Sequence, residues 1–203
     1  MSKRRPRSVV KSVKEHLPPA DFDKRPVKSE TIKKGSVYKR IHLTSRAPIQ
    51  FNQTKAGRYN SPEAEFGVLY IAKDLAGCFS ETLLRQKSGL IDQAELDARS
   101  VSEIVFTADL KLVSFYGPGL ARAGATGIVS SGDWDISQAW SLALWQRKDK
   151  PDGMLYRAKH DKNELSAAIF DRAGKNLKQG KTWRLRDDPE LPDLLDRYKV
   201  GIG

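Results

Sequence analysis

The pattern of apolar and polar positions changes period several times along this chain, and each change marks an element. The run Phe66-Gly67-Val68-Leu69-Tyr70-Ile71-Ala72 is apolar almost throughout and rich in residues that suit a pleated surface, which predicts a buried strand. Asp74 then stands as a helix cap, and at about 100° per residue Leu75, Phe79 and Leu83 share one face. Gly77, Glu81 and Arg85 fall on the other. Glu81 is therefore off the apolar stripe, either a solvated partner of Arg85 at i+4 or a residue kept for chemistry. Upstream, Val37–Leu43 alternates enough to be the first strand of the domain, with Arg40 inside it. Residues 44–65 between these strands are polar and carry Pro, Gly and Asn, which predicts a long loop of the kind that is commonly functional in compact domains.

Further along, a short helical piece is expected around Gln93-Ala94-Glu95-Leu96, and residues 103–106 and Leu110–Phe115 are β-rich on either side of a Thr107-Ala108-Asp109 turn. Ile136, Ala139, Trp140, Ala143 and Leu144 form the stripe of a helix ending near Lys148. After the turn signal Pro151-Asp152-Gly153, strands are expected at 154–157 and Leu165–Phe170. From Arg172 the chain reads as a charged loop with one amphipathic turn at Leu194-Leu195.

Charge changes the picture at the N-terminus. The net charge is +11, and residues 1–36 hold eleven Lys/Arg against four Asp/Glu, leaving only +4 for the rest. Residues 1–35 thus read as a flexible basic extension in which Val9, Val10, Val13 and Leu17 sit at near-helical spacing before Pro18-Pro19 stops any helix. The cluster Lys3-Arg4-Arg5-Pro6-Arg7 can neutralise phosphates, so a nucleic-acid-binding accessory role is one reading; no aromatic residues interleave with these charges to stack bases. The domain proper is expected over 36–175, with 176–203 a tail packing on it. With no apolar run near the ~20 residues a membrane span needs and no signal-peptide core, a cytoplasmic protein is expected. A lone cysteine, Cys78, and three scattered histidines, His16, His42 and His160, give no metal-ligand spacing, so no metal is expected.

The pieces Val37-Tyr38-Lys39-Arg40-Ile41, Gly57-Arg58-Tyr59-Asn60, Phe66 to Ala72 as above, Phe79-Ser80-Glu81-Thr82, Gln138-Ala139-Trp140-Ser141-Leu142-Ala143, Asp152-Gly153-Met154-Leu155-Tyr156-Arg157 and Ala167-Ala168-Ile169-Phe170-Asp171-Arg172 fall in the order found in RES-domain proteins. The chain resembles that family, the toxin half of the RES–Xre toxin–antitoxin systems. The resemblance implies a single compact α+β domain like the ADP-ribosyltransferase fold, NAD as the substrate, and an Xre-type antitoxin as partner. Cleavage of the nicotinamide–ribose bond by hydrolysis or phosphorolysis is the implied activity. ADP-ribosylation of a protein acceptor is the alternative on the same site.

On that reading Glu81 is the carboxylate that stabilises an oxocarbenium-like state or holds a ribose hydroxyl. Arg40 is the first choice for the pyrophosphate and Arg58 the second, because a planar guanidinium can bond two oxygens at once. Tyr70 and Tyr59 are the aromatic surfaces expected against nicotinamide. One position departs from the family: where its DG-x-x-Y-x-S segment has serine, this chain has Ala158. Ala158 is expected to border the same pocket, with Ser166 or Lys159 as substitutes for the missing hydroxyl, whose loss weakens a polar site by ~1–3 kcal/mol.

Overall fold

The computed structural model describes residues 15–84 and 89–203, and in it the apolar runs assemble into one mixed, eight-stranded sheet. Its strands are β1 (Ser29–Ile32), β2 (Val37–Leu43), β3 (Val68–Ala72), β5 (Arg99–Phe106), β6 (Leu110–Phe115), β7 (Gly153–Arg157), β8 (Leu165–Phe170) and β9 (Leu177–Arg184), while β4 (Leu90–Ile91) and β10 (Gly201–Ile202) make a separate parallel pair. The order across the large sheet is β1-β6-β7-β8-β3-β2-β5-β9. Neighbours are antiparallel except β6 and β7, whose parallel pairing requires a long crossover; residues 116–152 supply it and carry helix α2 (Trp134–Gln146). Helix α1 (Leu75–Thr82) follows β3, and α3 (Leu191–Tyr198) lies between β9 and β10. The expected α+β class is what forms.

The central strands are buried on both faces, which explains their nearly unbroken apolar sequences. Val68, Met154, Tyr156, Ala168 and Phe170 pack with Ile136, Trp140 and Leu144 of α2, whereas Leu69, Ile71, Leu155, Ala167 and Ile169 face an opposite core. A third cluster joins Leu75, Phe79 and Leu83 to Ile41, Val101, Leu191 and Leu194, so the α1 stripe is used as its spacing predicts. Gly153 is required where β7 begins: its φ is 158°, and a Cβ there would lie 2.2 Å from the Ala168 carbonyl oxygen.

Two expectations need correction. Residues 15–35 are not a loose extension. Phe22 is 3% exposed and meets Trp140 edge to face at 5.1 Å, the Trp140 indole N–H donates to the His16 carbonyl at 2.7 Å, and β1 extends the sheet beside β6. Glu30 accepts hydrogen bonds from the Ser114 hydroxyl at 2.5 Å and the Tyr116 hydroxyl at 2.6 Å. The spacing of Val9, Val10 and Val13 lies outside the described residues. The tail is likewise ordered as β9 and α3; β9 is an edge strand with most side chains exposed, so it carries no apolar alternation to read. The expected β-rich stretches around residues 107–109 form β5 and β6, which pair with other strands: β5 joins β2 and β9, and β6 joins β1 and β7.

Candidate functional site

A gap in the sheet makes the site. Strand β3 matches β8 from Val68 to Ala72 and β2 matches β5 from Val37 to Leu43, but β2 and β3 meet only at Lys39 and Ala72. Where they part, a cavity of about 120 Å³ opens between them. Arg40 of β2, Tyr70 of β3, Glu81 of α1, Tyr156 of β7 and Ser166 of β8 all line it. Helix α1 reaches this position because Asp74 accepts a hydrogen bond from the Gly77 N–H at 3.0 Å, capping the helix, and because Gly77 has no side chain. A Cβ on Gly77 would sit 2.7 Å from that of Ala72 and push α1 off β3.

Glu81 is half-buried and held at both oxygens. One accepts the Lys159 N–H at 2.7 Å, a charge-assisted bond, and the other accepts the Tyr156 hydroxyl at 3.4 Å. The loop bearing Lys159 is itself tied down, since Asp161 accepts from Tyr198 Oη at 2.9 Å and from Arg197 at 2.7 Å, and Arg197 also pairs with Glu164 at 2.7 Å. Burial pushes the Asp161 carboxyl up, but the Asn163 N–H, the Tyr198 hydroxyl and the Arg197 charge outweigh it and hold the group below its ordinary value.

Arg40 donates to the carbonyls of Pro48 at 2.5 Å and Gln50 at 3.2 Å, anchoring the long loop. Burial, with a smaller push from Arg46, pulls its pKa down to about 10, so it remains a cation at neutral pH. The Tyr70 hydroxyl accepts the Tyr59 N–H and donates to Asn60 Oδ1, both at 2.8 Å, while its ring borders the cavity. Cys78 also lines the cavity, but its thiol donates to the Lys39 carbonyl at 2.9 Å and burial pushes its pKa up to about 12. It is a packing residue with no thiolate to offer.

A wider cleft of about 630 Å³ adjoins this cavity, sharing Tyr70 and Glu81 with it and adding Arg58, Trp134, Lys159 and His160. Arg58 donates to the Gly132 carbonyl at 2.7 Å and to Ser137 Oγ at 3.2 Å. Trp134 is 43% exposed at the start of α2. Among the described residues no group of three or more His, Cys, Asp or Glu is placed to hold a metal ion, and no helix is long and apolar enough to cross a membrane.

The family model described as the RES domain matches residues 37–188. The chain belongs to the RES domain family. It is 29% identical over 111 residues to "Probable toxin y4kH" of Sinorhizobium fredii (strain NBRC 101917 / NGR234), a stretch covering 54% of this chain and 87% of that protein. Its fold resembles that in the crystal structure of the M. tuberculosis MbcT-MbcA toxin-antitoxin complex, with a TM-score of 0.58 at 15% identity over 88% of this chain and 92% of the other. The RES-domain match begins at β2 and ends before α3, so Phe22, β1 and α3 lie outside the matched span.

Of the residues singled out in the sequence of this RES-domain chain, Arg40, Tyr70 and Glu81 meet at one cavity and Arg58 lies in the adjoining cleft. Two do not reach either space. Tyr59 is 0% exposed and packs on Tyr156 with ring centroids 4.6 Å apart. Its backbone is drawn inward by the Tyr70 hydroxyl and by Ser141 Oγ, which donates to the Tyr59 carbonyl at 2.7 Å. Ala158 is also fully buried, past the end of β7, with its N–H on the Glu164 carbonyl. The residues between Arg157 and Leu165 leave the strand, so Ala158 does not continue the face on which Tyr156 borders the cavity. Sequence reasoning missed Tyr156, Trp134 and His160 as cavity residues; Tyr156 was within reach through strand alternation, while the other two depend on how distant loops fold back.

Proposed function

We propose that this RES-domain protein is a toxin that degrades NAD by cleaving the nicotinamide–ribose bond, and that a separate Xre-type antitoxin restrains it. The observation that carries the reading is the position of Glu81 at the junction of a small cavity and a large cleft. The small cavity, of about 120 Å³, is on the scale of a single ring. The larger volume falls in the range of small-molecule sites and carries cationic Arg58 and Lys159 for a pyrophosphate, with the exposed Trp134 ring for a base.

On this reading Arg58, rather than Arg40, faces the pyrophosphate, and Arg40 lies on the nicotinamide side. The reaction breaks the bond from ribose C1′ to the pyridinium nitrogen, whose positive charge the departing electron pair neutralises. An oxygen of water, which loses a proton to solvent, or of a phosphate anion then bonds C1′. Glu81, fixed by the Lys159 N–H and the Tyr156 hydroxyl, is pre-oriented to stabilise the positive charge developing on the ribose. Similarity to a probable toxin of Sinorhizobium fredii and to the fold in a toxin–antitoxin complex supports the biological role.

The test is nicotinamide release from NAD by the full chain and by Glu81→Gln. A loss of about a hundredfold or more in the variant, with unchanged melting, is expected from the scale of single electrostatic groups in active sites. Equal release by the two proteins would remove the proposal. Running the wild type with and without inorganic phosphate, and analysing the sugar product, separates phosphorolysis from hydrolysis.

A further inference from the structure

Ser166 lies on β8 in the middle of the sheet, directly opposite Ala72 on one side and Tyr156 on the other. Both neighbours line the 120 Å³ cavity, as Ser166 itself does. The residue is 1% exposed, and its buried hydroxyl has no hydrogen-bond partner among the described residues. The next side chains on the same face of β8 are Ala168 and Phe170, so packing at this depth calls for an apolar residue. Buried hydroxyls are nearly always paired, and one left open beside a cavity shared with a carboxylate and a guanidinium calls for a reason.

We propose that Ser166 is a substrate-contacting residue: its hydroxyl bonds the polar substituent of the group that enters the small cavity, a ribose hydroxyl or the carboxamide of nicotinamide. The inference rests on the NAD reading above and adds to it the source of the hydroxyl that Ala158 does not supply. A serine hydroxyl both donates and accepts one bond, so it pairs with either group without needing a change of charge. Tyr156, opposite it, donates to Glu81, whereas Ser166 Oγ, unpartnered among the described residues, is a neutral group available to the ligand.

The experiment compares the full-length wild type with Ser166→Ala in three readouts: melting temperature without ligand, NAD affinity by calorimetric titration, and the dependence of nicotinamide release on NAD concentration. The expected result is that Ser166→Ala melts at the same temperature or slightly higher, because an unpaired buried hydroxyl has been removed, while NAD affinity falls about tenfold. A variant that melts lower overturns the proposal, since the hydroxyl is then bonded within the protein. A variant equal to the wild type in NAD affinity and release also overturns it, with the NAD reading intact. Wild-type protein that neither binds nor cleaves NAD removes the NAD reading, and the proposal with it.

Discussion

Replacing Phe22 by Ala tests whether the N-terminal segment is part of the core. Phe22 precedes the RES-domain match, yet its ring is 3% exposed, contacts Trp140 edge to face at 5.1 Å and lies 5.2 Å from the Arg147 guanidinium. Its carbonyl accepts from Arg147 at 2.5 Å, and Arg147 itself is buried beside Asp149. Burying a phenylalanine and then truncating it to alanine costs about 3–5 kcal/mol in well-packed cores. The lower end applies here, because a short 3-10 turn at Phe22–Lys24 relaxes more easily than a strand in the sheet. At 2–4 °C per kcal/mol for a domain of this size, about 3 kcal/mol lowers the melting temperature by ~6–12 °C. The assay is thermal and urea unfolding followed by circular dichroism, with nicotinamide release at 25 °C as a control that the cavity is intact. A fall of less than about 2 °C would refute the reasoning, since it would mean that residues 15–28 rest on the domain without stabilising it.

Ala158→Ser is expected to change nicotinamide release by less than about twofold, because Ala158 is buried and lines neither cavity; a rise of tenfold would place that side chain at the substrate after all. Asp161→Asn bears on the loop that holds Glu81. The folded-state pKa of Asp161 is lowered, so its contribution to stability is present above its ordinary value of 3.8 and is lost as pH falls through the folded value. Urea titrations of wild type and Asp161→Asn are therefore expected to differ at pH 6 and to converge as pH drops below about 4, and a difference that grows in acid would contradict the assignment.

The strand and helix that build the site were legible in the sequence for a physical reason: β3, β8 and α1 are buried, and burial writes itself as apolar runs and stripes. Asp74 as cap, Leu75, Phe79 and Leu83 as core face, and Glu81 as the residue left off that face all follow from helical geometry. The edge elements were not legible. Strands β1 and β9 have one neighbour each and carry exposed polar side chains, so nothing in their composition separates them from loops; backbone pairing defines them. Phe22 stood as a lone aromatic in a basic stretch, and only the arrival of Trp140 from more than a hundred residues away makes it core.

The same division runs through the site. That Arg40 and Glu81 are candidates was decided by residue type and by the order of the motifs. That they share a cavity was decided by β2 and β3 parting after Lys39 and Ala72, a property of two strands pulled toward different neighbours. Tyr59 and Ala158, which looked equivalent to the others in sequence, are buried because the loop and the strand end that carry them turn into the core. Period and composition determine which residues are buried; which polar groups then face one another depends on pairings between distant segments, and only the tertiary structure decides those.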